Sequence, residues 1–178
     1  MGDETAAAQQ NRATADTELL GIYLNDHLAG ATAGVRLAYR IARSHQGPGD
    51  GQTLLRLADD ISDDRAQLLS IMNALGISVS RYKAQLAAAL EWVGRVKLNG
   101  SLLTRSPLSS LDEIEALRLG VEGKRALWRS LREVAKVDDR LDADHLTELE
   151  ERARAQIDTL ERLRLETAAA VLATRSPK

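Results

Sequence analysis

The chain contains no cysteine and no phenylalanine, and aromatic residues make up only 3% of it. Without thiols there is neither a disulfide framework nor a thiolate metal site, an absence that suits a reducing compartment. Without phenylalanine the core must be aliphatic; the Tyr and Trp residues are Tyr23, Tyr39, Tyr82, Trp92 and Trp128. Proline is scarce too, at Pro48, Pro107 and Pro177, so long helices can run without a break. No apolar run reaches the roughly 18 residues of a membrane span. Neither sign of charge dominates: 24 basic against 26 acidic residues leave a net −2, which excludes a global basic field drawing the chain to nucleic acid. Met1 to Asp16 has neither the basic start nor the apolar stretch of a signal peptide. It reads as a disordered tail, residues 1–16, ahead of a single domain at 17–174 and a second tail at 175–178. The expectation is a cytoplasmic protein without a nucleic-acid partner or a membrane span.

What is present is Leu and Ala, in a chain of 178 residues that can bury a full core. Both are strong helix formers, and Leu-rich, aromatic-poor cores suit helix-on-helix packing. Four long helices follow from the 3–4 spacing of apolar residues. The first runs from about Thr17 to Ser44, with Leu20, Leu24, His27, Ala31, Val35, Ala38 and Ala42 along one stripe. Gly30, Ala31, Ala33 and Gly34 form a small-residue band at its middle. Glycine there costs about 1 kcal/mol relative to alanine, so a close approach of another helix is the expected compensation. Gln46-Gly-Pro-Gly-Asp-Gly then stops the helix.

The second helix, about Gly51 to Leu75, carries Leu54, Ala58, Ile61, Arg65, Leu68, Met72 and Leu75 on its seam. Asp60 and Asp64 flank that seam, Asp59 and Asp63 point away, and Gly76 supplies the stop. The third, about Leu108 to Val137, buries Leu111, Ile114, Leu117, Val121, Trp128, Leu131 and Ala135, with Glu113 and Lys124 in the same face. Glu115, Arg118, Glu122, Arg125, Arg129 and Arg132 read as a solvated ion-pair stripe opposite. The fourth, about Asp142 to Thr174, keeps the heptad alternation through Leu146, Leu149, Ala153, Gln156, Leu160, Leu163, Thr167 and Ala170. Between the second and third helices lies a connection too long for a hairpin. It carries a short helix of its own, about Arg81 to Leu98, with an apolar stripe of Leu86, Leu90 and Val93.

Four polar residues stand where a bundle core should be apolar: His27, Arg65, Lys124 and Gln156, one near the middle of each long helix. They read either as a small-anion or polar-ligand site or as a satisfied polar layer that fixes helix register. A buried Arg65 would need a carboxylate partner such as Asp60, Asp64 or Glu113. The crossover helix interleaves Arg81, Lys83, Arg95 and Lys97 with Tyr82 and Trp92, either a docking face for a protein partner or a snorkelling cover. His45, beside the Gly/Pro turn, and His145, at an Asp-rich helix start, read as surface residues. No phosphate loop, nucleophile elbow or catalytic triad spacing occurs; Gly120-Val-Glu-Gly-Lys124 lies mid-helix without a preceding strand.

Two helical hairpins joined by a long crossover resemble the ferritin-like superfamily. The segment Leu57-Ala-Asp-Asp-Ile-Ser-Asp-Asp-Arg-Ala-Gln-Leu-Leu-Ser-Ile-Met-Asn-Ala-Leu-Gly76 is similar to the second helix of small bacterial ferritin-like proteins. The resemblance implies an all-α, ferritin-like antiparallel four-helix bundle whose long crossover carries an extra short helix. It also implies a carboxylate-bridged Fe or Mn pair, held by one Glu on the first and third helices and Glu-x-x-His pairs on the second and fourth. The residues here depart from that pattern. The first helix has Gly30, Ala31, Val35 and Ala38 across its core face, no His follows the acids of the second at i+3, and His145 and Glu148 are reversed and in the first turn. The leading expectation is therefore a non-catalytic interaction or structural protein without metal or cofactor, self-associating as a homo-oligomer, most simply a dimer. Leu37, Leu119 and Leu127, off the main stripes, are candidates for a covered face. The alternative is a divergent di-metal oxidoreductase or metal-handling protein, with ligands drawn from Asp60, Asp63, Asp64, Glu115 and Glu122.

Overall fold

Helix-forming sequence between two strong stops determines the architecture. The computed structural model describes the backbone of residues 3–44, 50–79 and 107–173, and the side chains of 17–44, 51–79 and 108–173. Four helices make up the described residues: α1 (Asp3–Ser44), α2 (Asp50–Ala74), α3 (Pro107–Val134) and α4 (Ala143–Leu172). There is no strand among them, so the described part of the molecule is all-α. α1 begins at Asp3 and not near Thr17; its added turns contain Ala6, Ala7 and Ala8, which favour helix without needing tertiary contacts. The crossover helix expected at Arg81 to Leu98, its candidate docking face, His45 and the C-terminal tail at 175–178 lie outside the described residues.

The ends of the helices are chemically specified. Gly76 adopts φ +70°, the left-handed region that L side chains avoid. Ile77 N–H donates to Met72 O at 2.9 Å and Gly76 N–H to Asn73 O at 3.0 Å, the paired bonds of a Schellman stop. Asp142 caps α4, its carboxylate accepting from Asp144 N–H at 2.9 Å and His145 N–H at 3.1 Å. Arg140 fastens the α3–α4 turn to the end of α2, donating to Leu75 O at 3.0 Å and to Asp138 at 2.6 Å.

Side-chain bonds fix the helix directions. Tyr39 Oη donates to Asp59 at 2.6 Å while Asn25 Nδ2, farther back on α1, reaches Ser78 O at 3.2 Å, so α1 and α2 run antiparallel. Tyr23 bonds Ser130 at 3.3 Å and Arg40 lies 3.3 Å from Glu113, so α1 and α3 are antiparallel as well. Arg132 to Glu150 at 2.6 Å and Arg118 to Glu161 at 2.9 Å give the same relation for α3 and α4. α2 and α3, both opposed to α1, therefore run parallel.

The arginines and glutamates read as a solvated stripe on α3 in fact reach across to α4. Arg125, Arg129 and Arg132 converge on Glu150 at 3.7, 3.8 and 2.6 Å, and Glu115 meets Arg164 at 3.5 Å. The stripe is the rim of a helix pair. Inside, Leu24, Ile41, Leu54, Leu68, Met72, Ile114, Trp128, Leu131, Leu146, Leu149 and Leu160 are fully buried in one cluster. Each such aliphatic side chain contributes about 1.5–3 kcal/mol by leaving water.

Candidate functional site

The polar centre of the bundle is built around Asp64. Its side chain is wholly buried and lies among groups from two other helices. Lys124 of α3 donates its ammonium to Oδ2. Arg152 of α4 donates Nε to Oδ1 at 2.7 Å and a terminal nitrogen to the same oxygen. Gln156, one helical turn beyond Arg152, donates Nε2 to Oδ2 at 2.9 Å and accepts the Lys124 ammonium on Oε1 at 2.5 Å. Both carboxylate oxygens are thus shared among two cations and an amide, the full pairing a buried charge requires. Burial pulls the Lys124 ammonium below the ordinary lysine range, opposed by the charge and hydrogen bond of Asp64.

Of the four expected inner residues, the structure brings Lys124 and Gln156 together. Arg65 does not join them. It is half-buried on the α1 side of α2, where Nε donates to Thr32 Oγ1 at 2.9 Å. The hydroxyl of Thr32 is in turn fixed to Leu28 O at 2.8 Å. Adjacent helix positions differ by about 100° in direction, and α2 presents its inner arc to α1 and α4 at once. Asp64, expected at the flank, takes the centre, and Arg65 turns toward α1. His27 is half-buried and packs edge-on against Tyr23, centroids 4.6 Å apart. Its pKa is lowered by burial, against the opposing charge of Asp26. Arg152 and Thr32 were missed by sequence reasoning. Arg152 could have been found from its i, i+4 relation to Gln156; nothing local marks Thr32.

A cavity of about 320 Å³ adjoins this cluster, between α1, α2 and α3. Apolar side chains such as Leu37, Leu68, Val121 and Trp128 line most of it, and Arg65, Lys124, Asp64 and His27 supply polar edges, with Asp26 also in the lining. Gly30 and Gly34 of α1 and Gly120 and Gly123 of α3 belong to its wall. A Cβ added at any of the four would meet nothing within 4 Å. The small-residue band therefore does not bring helices into close approach, as its sequence suggested; it borders open space. Trp128 is fully buried in the wall, its indole nitrogen without an acceptor among the described residues.

The alternative ligand set does not converge. Asp60 and Asp63 are exposed on α2 while Asp64 is buried. Glu115 is taken by Arg164 and Glu122 lies beside Arg125. Among the described residues no group of three or more His, Asp or Glu side chains gathers as a metal site. A divalent metal pair needs several inward carboxylates to offset its charge, and here one inward carboxylate faces two cations. The donor set does not fit such a centre.

No protein-family model, curated protein or solved structure matches this chain. No helix among the described residues is long and apolar enough to cross a membrane.

Proposed function

We propose that this protein is a non-catalytic ferritin-like bundle, an interaction or structural protein that has an internal ion-pair cluster in place of a metal centre. The observation that carries this reading is Asp64. Among the described residues, the one wholly buried carboxylate at mid-bundle is consumed by Lys124, Arg152 and Gln156. The ferritin-like assignment is supported by the antiparallel α1–α3 pairing. Two hairpins with parallel second and third helices need a connection as long as the bundle, and 80–106 is of that length. In this reading the connection carries the extra short helix.

Self-association, with a dimer as the simplest form, belongs to the same proposal. Leu37 and Leu127, two residues expected on a covered face, are buried in the chain's own core, whereas Leu119 is exposed. Leu19, Ile22, Val79 and Val137 are exposed as well, at the end of the bundle where Asn25 meets Ser78. An apolar set there is the surface a second copy would cover. Sedimentation velocity over a wide concentration range should show a reversible dimer; a strict monomer at high concentration overturns the association. Ferrous iron with oxygen, and manganese or iron with peroxide, should react no faster with the protein than without it. Saturable turnover would instead establish the di-metal oxidoreductase.

A further inference from the structure

The four cavity glycines have no role in backbone geometry, because Gly76 is the one glycine with positive φ among the described residues. Nor do they admit a neighbouring helix, since a Cβ at each would have no contact within 4 Å. Mid-helix glycine costs about 0.5–1 kcal/mol relative to alanine, and protein interiors otherwise pack densely. Gly30 and Gly120 are exposed and Gly34 and Gly123 half-buried, so the missing side chains keep the space open toward solvent. Its volume of about 320 Å³ is roughly twice the 150 Å³ that accommodates benzene, enough for about a dozen non-hydrogen atoms.

Arg65 is the cation on this space whose capacity is unspent, beside the Trp128 indole nitrogen, which has no acceptor among the described residues. Nε is held by Thr32, and no carboxylate among the described residues lies within 4 Å of the guanidinium, unlike Arg152 and Lys124 beside it. A guanidinium pinned through Nε presents its two terminal nitrogens in the geometry of a carboxylate. Lys124 is matched by Asp64, Asp60 also acts on it, and Arg65 and Asp26 leave the charged lining neutral, so the terminal nitrogens of Arg65, and not an excess of positive charge, select a carboxylate. His27 is held toward its neutral form by burial.

We propose that the cavity between α1, α2 and α3 binds a small amphiphilic monocarboxylate of the medium-chain fatty-acid class. Its carboxylate sits on the terminal nitrogens of Arg65 and its apolar body lies along the wall of Gly30, Gly34, Gly120 and Gly123. The ferritin-like reading is not needed for this, and a metal found elsewhere in the bundle would leave it standing.

Isothermal titration of the full chain with decanoate, and separately with 1-decanol, tests it. Decanoate should bind once per chain and 1-decanol more weakly. Arg65→Gln should weaken decanoate by roughly tenfold or more and leave 1-decanol unchanged, as loss of a charge-assisted pair predicts. Gly123→Leu and Gly30→Leu, which fill the space, should abolish both while the helical circular dichroism persists. Absence of decanoate binding overturns the proposal. So does 1-decanol binding as tightly as decanoate, or decanoate affinity indifferent to Arg65→Gln. Should both leucine variants unfold, the Arg65→Gln comparison decides alone.

Discussion

Removing the Asp64 carboxylate would leave the Lys124 ammonium beside Gln156 without its counter-charge. Asp64→Ala should therefore cost about 3–5 kcal/mol in urea unfolding, and adding Lys124→Met should recover at least about 1 kcal/mol of it. Arg65→Ala loses one hydrogen bond to Thr32 and strands no charge, so about 1 kcal/mol is expected. His27 titrates below its unfolded value because burial disfavours the imidazolium. Between that lowered value and about pH 6.5 the unfolded chain binds the extra proton first, so stability should fall as pH drops through this window. Ring-proton NMR should give a His27 midpoint below 6.5, and His27→Gln should remove that part of the slope. Lys124 and Gln156 were legible in the sequence because they interrupt an apolar repeat. Choosing between Asp64 and Arg65 was not possible at that level: which of two adjacent positions faces the centre depends on how α2 sits against both neighbours.

Along the helices, glycine has two opposite meanings here. Gly76 needs its left-handed φ, so Gly76→Ala should destabilise by about 1 kcal/mol. Gly30→Ala, Gly34→Ala, Gly120→Ala and Gly123→Ala meet no obstruction and should each stabilise by about 0.5–1 kcal/mol. Thermal melts of the five variants check both signs. The stop at Gly76 and the cap region of α4 were readable because their chemistry is local. The glycine band of α1 is ambiguous in sequence, since a run of small residues fits a close helix contact and a cavity wall equally well until the facing helix is placed. Gly120 and Gly123, on that facing helix, carry no local mark of the cavity beyond a spacing that mimics a phosphate loop.

For the molecule as a whole, acid should loosen the bundle. Lys136 holds the Glu133 carboxyl below its ordinary value, Arg140 does so for Asp138, and Arg164 for Glu161, each mainly through a hydrogen bond. Groups lowered in this way add stability above their unfolded values, about 4.5 for the glutamates and 3.8 for the aspartate, and lose it as pH falls through the folded ones. Melting temperature measured from pH 7 to 3 should decline modestly below about 4.5, since exposed pairs contribute little each. The all-helical class was plain from Leu and Ala content and 3–4 spacing. Helix directions rest on tertiary bonds such as Tyr23 to Ser130, which no local pattern encodes. The central claim is that mid-bundle charge is neutralised by the protein itself. Elemental analysis of protein purified without chelators tests it most directly. The account predicts iron and manganese far below one atom per chain, unchanged by Asp64→Ala; stoichiometric metal that is lost on substituting Asp60 and Glu122 would contradict it.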